Sequence, residues 1–192
     1  MERAERLWPN GPRYLYDEQC FPPSTDSFLL GGFALPRRGQ WVCDLGAGAG
    51  LLGLLLLARE PSLTVTGIER DEHACEMLRR NAAENGVPMT ALCADLRQRE
   101  ALPAGAFQLA VSNPPYFDPR AGAVAEGVRG TARAQLTAAL DDIFAAAARL
   151  LQWGGRLCLV YRPEQLTALM TAAAAHGLEP KRPRLVQHTA QS

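Results

Sequence analysis

The stretch WVCDLGAGAGLLGLLLLAR, residues 41–59, decides the fold. Its beginning, Trp41-Val42-Cys43-Asp44, is a short apolar run that predicts a buried strand, and residues 51–59 predict a helix that ends before Pro61. The loop between them alternates glycine with alanine, which permits a tight turn and lets a ligand approach the backbone closely. The stretch therefore predicts a strand, a glycine loop and a helix, with a ligand bound at the turn.

The same alternation of strand and helix continues along the chain. Apolar runs predict strands at 63–69, 89–94, 107–112 and 156–161, and capped or amphipathic segments predict helices at 72–85, 137–152 and 164–176. Residues 184–187 could begin a further strand. The pattern predicts an α/β fold with a doubly wound, mostly parallel, Rossmann-like sheet and helices on both faces. Ligands of such sheets bind at the carboxyl ends of the strands.

The first 35 residues differ from the rest. Residues 1–23 are polar and rich in proline, and we interpret them as an extended arm with a short hairpin around Arg13-Tyr14-Leu15-Tyr16. Ser24-Thr25-Asp26 then precedes an apolar segment that ends near Pro36, which is typical of a capped helix. We therefore divide the chain into an N-terminal arm with a capping helix, 1–35, and a main domain, 36–192.

Composition excludes several classes of protein. Twenty basic and twenty acidic residues balance, so RNA contacts would need local basic patches. The five cysteines are scattered without metal-ligand spacing, which indicates reduced, mostly buried thiols in a cytoplasmic protein that binds no metal. The N-terminus lacks a signal-type apolar segment, and no apolar run is long enough to span a membrane.

We expect Trp41 to lie in the core.

Three acidic residues follow three successive predicted strands. Asp44 would repel the pyrophosphate of a dinucleotide but attract the ammonium or sulfonium group of S-adenosylmethionine. Glu69 lies 19 positions after Gly50, a spacing suited to binding both ribose hydroxyls. Asp95 can accept a hydrogen bond from the amine of an adenine ring. Together the three acids predict one rim of a pocket for S-adenosylmethionine.

The strand at 107–112 ends in Asn113-Pro114-Pro115-Tyr116. Two consecutive prolines cannot continue a strand ladder, so the chain must turn there with its carbonyl groups fixed in direction. Asn113 and Pro114 offer acceptors, and Tyr116 offers a flat face for stacking. This combination suits a planar NH2 group on a ring or on an amide.

These motifs, in this order, resemble class I S-adenosylmethionine-dependent methyltransferases of the Asn-Pro-Pro-Tyr amino-methyltransferase branch. Within it, the chain is similar to the bacterial tRNA1(Val) adenine-37 N6-methyltransferase group and small-domain methyltransferases, through the segments 21–30, 131–133, 140–143, 161–166 and 179–182. The resemblance implies methyl transfer to an exocyclic amine, most simply adenine N6 in tRNA. It also implies a final antiparallel strand, for which no apolar run remains after residue 187, so we expect the sheet to lack it.

The resemblance and the motifs together define the candidate site. Catalysis is assigned to Asn113, Pro114 and Tyr116. The cofactor is expected to contact Thr25, Asp26, Asp44, Gly46, Ala47, Gly48, Gly50, Glu69, Arg70, Asp95, Leu96 and Asn113. The substrate is expected to contact Asn113, Pro114, Pro115, Tyr116, Phe117, Arg129, Arg133, Lys181 and Arg182.

Three alternatives remain open from the sequence. The same acceptors would serve methylation of a glutamine amide in a protein or of guanine N2 in ribosomal RNA. A nucleotide-binding Rossmann module without methyl transfer is the alternative from a different class. The expected partner is RNA, most simply tRNA, and the expected state is a monomer or a weak dimer through an open sheet edge.

Overall fold

A computed structural model of the protein describes residues 1–101, 103–114 and 140–187. Two elements form an N-terminal hairpin, and the others alternate as the sequence predicts. In chain order they are β1 (Arg3–Arg6), β2 (Arg13–Tyr16), α1 (Thr25–Phe33), β3 (Trp41–Leu45), α2 (Leu51–Arg59), β4 (Thr64–Glu69), α3 (Glu72–Asn85), β5 (Met89–Cys93), β6 (Phe107–Ser112), α4 (140–150), β7 (Leu151–Leu159) and α5 (Leu166–Ala175).

The main sheet contains five described strands in the order β5-β4-β3-β6-β7, and every neighbouring pair is parallel. Alternate residues of the strands enter two different cores. Val42 and Val65 pack with α1, α2 and α3 on one face, whereas Cys43 and Ile68 pack with α4 on the other. The prediction of a doubly wound parallel sheet with helices on both faces is confirmed.

Local signals set the helix ends where the sequence predicts them. The Asp71 carboxylate accepts a hydrogen bond from the Ala74 N–H at the start of α3, and Gly86 ends that helix in the left-handed region. At α1 the cap is Ser24, whose hydroxyl accepts from the Ser27 N–H. Among the described residues, no helix has the length and apolar character that crossing a membrane requires.

The second strand of the N-terminal hairpin packs into the core, whereas the four residues of β1 are exposed. The hairpin predicted around residues 13–16 is confirmed, and its residues Tyr14, Leu15 and Tyr16 are buried beside α3. Asn81 of α3, fully buried, accepts from the Leu15 N–H at 2.7 Å and donates to the carbonyls of Leu15 and Ala49 at 2.9 Å. This one amide ties β2 and α3 to the glycine loop.

Two predictions in the C-terminal part are wrong. The helix predicted to extend to Gln152 ends at residue 150, since Leu151 already pairs with Phe107 of β6. The glycines at 154 and 155 lie inside β7, where Gly154 has a φ of 74° and the register shifts. Residues 184–187 form no strand: Pro180 and Pro183 lack N–H donors, and Leu185 is 80% exposed.

The predictions about the cysteines and about Trp41 also need correction. Cys75 and Cys93 form a disulfide, so these two thiols are not reduced, while Cys20, Cys43 and Cys158 are free and buried. The pairing joins α3 to the end of β5, a contact that sequence spacing does not reveal. Trp41 is not in the core but 54% exposed at the start of β3.

Candidate active site at the carboxyl ends of the strands

The glycine loop between β3 and α2 forms the floor of the candidate site. Gly46, Gly48 and Gly50 all have positive φ, between 53° and 86°, which strongly favours glycine. The Ile68 carbonyl accepts from the N–H groups of Gly46 and Ala47, which holds the loop against β4. A Cβ added at Gly46 or Gly48 would meet no atom within 4 Å, so that side of the loop is open to a ligand.

Asp44 is the next-to-last residue of β3, followed by Leu45 and then this loop. It is 2% exposed, and among the described residues neither carboxylate oxygen has a hydrogen-bond partner. Burial raises the pKa of the Asp44 carboxyl to about 7, and the Glu69 charge acts in the same direction. The Gly53 N–H opposes the shift, although its geometry is outside that of a hydrogen bond. A buried carboxylate without a partner suits a cationic ligand group, and the ammonium of S-adenosylmethionine supplies that chemistry.

Glu69 connects the glycine loop to the start of α3. One carboxylate oxygen accepts from the Gly48 N–H at 2.9 Å, and the other accepts from the N–H groups of Arg70 and Asp71 at 2.8 and 3.0 Å. These bonds hold the side chain at the end of β4, directly beside the open face of the loop. The position fits the predicted contact with ribose hydroxyls.

Asp95 follows β5 and is engaged by Arg97. The Arg97 guanidinium donates to both carboxylate oxygens, at 2.9 and 2.5 Å, and holds the pKa of Asp95 well below its usual range. Among the described residues, no acid in the predicted rim other than Asp95 is paired with a basic side chain. An adenine amine would therefore share this acceptor with Arg97.

Asn113 and Pro114 follow β6 at the same edge of the sheet. Asp44 of β3 pairs with Val111 of β6, so Asn113 lies two residues beyond the level of Asp44. The Asn113 side-chain N–H donates to the Ser27 hydroxyl at 3.0 Å, and Ser27 also contacts the Ser24 hydroxyl at 3.1 Å. The amide therefore turns its nitrogen toward α1 and its oxygen to the other side.

Sequence reasoning missed Ser27. Its neighbours Thr25 and Asp26 were predicted to contact the cofactor, but Thr25 is exposed and Asp26 half-buried, whereas Ser27 is 5% exposed and contacts Asn113. The only available signal is the Ser24-x-x-Ser27 spacing, which is also that of an ordinary helix cap.

The remaining predicted residues divide into three groups. Arg70 and Leu96 lie one position after the acids of β4 and β5. Lys181 pairs with Glu179, and Arg182 donates to the Phe33 carbonyl at 2.6 Å and lies over the Phe33 ring. The predicted residues that lie outside the described part of the chain are Pro115, Tyr116, Phe117, Arg129 and Arg133.

Comparison with known proteins identifies the family. The family model described as "Methyltransferase small domain" matches residues 25–173. The chain is 33% identical over 165 residues to a tRNA1(Val) (adenine(37)-N6)-methyltransferase of Cronobacter sakazakii, covering 84% of this chain and 67% of the relative. It is 31% identical over 170 residues to the protein of the same name in Aeromonas hydrophila, covering 85% and 69%. Across such relatives, the chain spans 58–70% of their length.

Solved structures agree with the family match. A 16S rRNA N2 methyltransferase from Thermus thermophilus, in complex with AdoMet and guanosine, is 28% identical with a TM-score of 0.64, covering 89% of this chain and 45% of that one. A predicted O-methyltransferase from Agrobacterium tumefaciens is 28% identical with a TM-score of 0.62, covering 79% and 68%. The prediction of an S-adenosylmethionine-dependent methyltransferase is confirmed. The chain belongs to the methyltransferase small-domain family.

Proposed function

We propose that the chain methylates an exocyclic ring amine, adenine N6 of a tRNA, with S-adenosylmethionine as the donor. The observation that carries this proposal is the position of Asn113: it follows β6 at the carboxyl ends of the strands, near the level of Asp44 in β3, with its amide held by Ser27. A substrate amine at Asn113 would therefore lie beside the cofactor pocket.

The cofactor pocket uses the strand-end acids and the glycine loop. Asp44 would receive the methionine ammonium, Glu69 the ribose hydroxyls, and Asp95 with Leu96 the adenine ring. The open backbone at Gly46 and Gly48 leaves room for the ligand to approach. Bound in this way, S-adenosylmethionine supplies an electrophilic methyl group on a sulfonium.

At the substrate end of the site, hydrogen-bond acceptors orient the amine, and no catalytic base is required. An aromatic amine is a weak nucleophile because its lone pair is delocalised into the ring. Hydrogen bonds from its N–H groups to the Asn113 side-chain oxygen and the Pro114 carbonyl would favour a pyramidal nitrogen whose lone pair faces the methyl group. The nitrogen–carbon bond would form as the sulfonium–carbon bond breaks, with S-adenosylhomocysteine as the leaving group, and the nitrogen would then lose one proton to solvent. Tyr116 and Phe117 are proposed to stack on the base.

The choice of tRNA is supported by the names of the relatives, which methylate adenine 37 of tRNA1(Val). Adenine in an unpaired loop costs little energy to expose, which suits a site at the carboxyl ends of the strands. Lys181, Arg182, Arg129 and Arg133 are proposed to contact the RNA backbone. Such a substrate places the protein in the cytoplasm.

Guanine N2 in ribosomal RNA is the second candidate, because the similar Thermus enzyme was solved with guanosine. A guanine amine presents the same pair of N–H donors to Asn113 and Pro114. A protein glutamine amide, the third possibility, needs no basic contacts.

One experiment separates the candidates. The protein is incubated with methyl-labelled S-adenosylmethionine and, in parallel, with unmodified total tRNA, ribosomal RNA or a protein extract, and the products are digested and separated. The proposal expects label in N6-methyladenosine from tRNA. Label confined to N2-methylguanosine or to methylglutamine would overturn it.

A further inference from the structure

Three potential metal ligands from distant parts of the sequence meet next to the candidate site. Asp17 and Cys20 follow β2, and His73 is the second residue of α3. Their ligand atoms, a carboxylate oxygen, a thiol sulfur and an imidazole nitrogen, all lie within 4.8 Å of one another. The sequence predicts no metal site because 53 positions separate Cys20 from His73.

The turn after β2 orients the carboxylate for binding. One Asp17 oxygen accepts from the N–H groups of Gln19 and Cys20 at 2.9 and 3.1 Å, which fixes the side chain. The other oxygen lies 2.7 Å from His73 Nε2. This second oxygen is therefore already held facing the imidazole, and the Asp17 side chain would not need to reorient to bind an ion.

Accessibility and charge favour a cation at this position. The Cys20 residue is 6% exposed, whereas the His73 side chain is 40% exposed and gives access from solvent. Glu69 and Asp71 add negative charge around the sulfur. Thiolate, imidazole and carboxylate are the three ligand types that bind Zn²⁺, and a bound zinc ion displaces the thiol proton to solvent.

We propose that Asp17, Cys20 and His73 bind one Zn²⁺ ion, with water as the fourth ligand. The ion would fasten the turn after β2 to the first turn of α3. Because Asp71, whose carboxylate caps this turn, also donates its N–H to Glu69, the ion would stiffen the predicted ribose end of the cofactor pocket. The site is independent of the identity of the methylated base.

The chain contains its own matched control. His176 Nε2 lies 2.7 Å from the Asp141 carboxylate, the same distance as in the His73–Asp17 pair. This second pair belongs to no group of three metal-ligating side chains within the described residues. A histidine–aspartate pair without a cysteine should bind zinc far more weakly.

The experiment titrates the full chain with Zn²⁺ against a chromophoric chelator and, separately, with Co²⁺ while recording its absorption spectrum. We expect one ion per chain and a thiolate-to-cobalt charge-transfer band. Cys20→Ser should remove the band, and Cys20→Ser and His73→Gln should each weaken Zn²⁺ binding at least tenfold. His176→Gln and Cys158→Ser should leave both readouts unchanged.

Three results would overturn the proposal. They are an absence of stoichiometric zinc binding, a cobalt complex without a thiolate band, and zinc affinity unchanged by His73→Gln. If circular dichroism shows that Cys20→Ser does not fold, the zinc affinity of His73→Gln decides whether the site exists, because the His73 side chain is exposed and is not part of the hydrophobic core. A Cys75→Ser/Cys93→Ser double variant excludes zinc binding by those two sulfurs.

Discussion

At the scale of single residues, Asp44 carries the clearest electrostatic signature. Its carboxyl is buried without a partner, and burial raises its pKa to about 7 from an ordinary value near 3.8. A carboxyl whose pKa is raised on folding stabilises the fold fully at pH values below its ordinary pKa. This stabilisation is lost as the pH rises through the pKa of the folded state. A cationic ligand reverses the effect because it pairs with the ionised form.

We therefore predict how stability depends on pH without cofactor. Between pH 4 and 8, the free energy of unfolding of the wild type should fall more steeply with pH than that of Asp44→Asn. Urea unfolding at several pH values measures both slopes. The exposed Glu164→Gln should keep the wild-type slope, and equal slopes for the wild type and Asp44→Asn would contradict the buried-charge argument.

Asn81 shows how burial determines the contribution of a side-chain amide to the free energy of unfolding. Asn81→Ala would leave buried backbone groups of Leu15 and Ala49 without partners, at an expected cost of about 3 kcal/mol. Asn85 makes the same pair of bonds to the backbone of Arg13, but close to solvent, so Asn85→Ala should cost about 1 kcal/mol or less. Urea unfolding of the two variants tests the difference, and equal losses would show that burial is not the cause.

At the scale of elements, α1 acts on the site through Ser27. Ser27→Ala removes one acceptor of the Asn113 side-chain N–H and so weakens the restraint that orients the amide toward the substrate. We predict about a tenfold lower turnover, corresponding to about 1.4 kcal/mol, with unchanged affinity for S-adenosylmethionine. Thr171→Ala, which removes an exposed hydroxyl from α5 outside the predicted site, is the control. A Ser27→Ala variant as active as Thr171→Ala would assign Ser27 to helix capping alone.

The elements also show what the sequence can and cannot predict. α2, α3 and the central strands were predictable because apolar runs, the Asp71 cap and the Gly86 stop are local signals. The start of β7 was not predictable, since Leu151 continues an alanine-rich amphipathic pattern and becomes a strand only by pairing with Phe107. The Cys75–Cys93 pair, the Ser27–Asn113 bond and the Asp17–Cys20–His73 cluster likewise depend on contacts between distant segments.

At the scale of the whole molecule, the balanced charge restricts any RNA contact to local patches. Lys181 is 74% exposed at its side chain beside Glu179, whereas Arg182 lies on Phe33 and contributes packing as well as charge. Among the described strands, β7 is the last of the sheet, and the monomer or weak dimer through an open sheet edge stays a prediction.

We predict that Lys181→Ala weakens tRNA binding and reduces the slope of log affinity against log salt by about one. Arg79→Ala is the charge-matched control, because Arg79 lies on α3 beside Glu76, away from the strand ends. Binding measured between low and moderate salt gives both slopes. An identical slope for Lys181→Ala and Arg79→Ala would remove Lys181 from the proposed RNA contact.

The central claim is that Asn113 positions the substrate amine beside the methyl donor. The most direct test is the single-turnover rate of methyl transfer by Asn113→Ala at saturating S-adenosylmethionine, with cofactor affinity determined by calorimetry to set the saturating concentration. We predict a rate at least about a hundredfold below the wild type, because acceptors aimed at the reacting group contribute on that scale. A rate within tenfold of the wild type would contradict it.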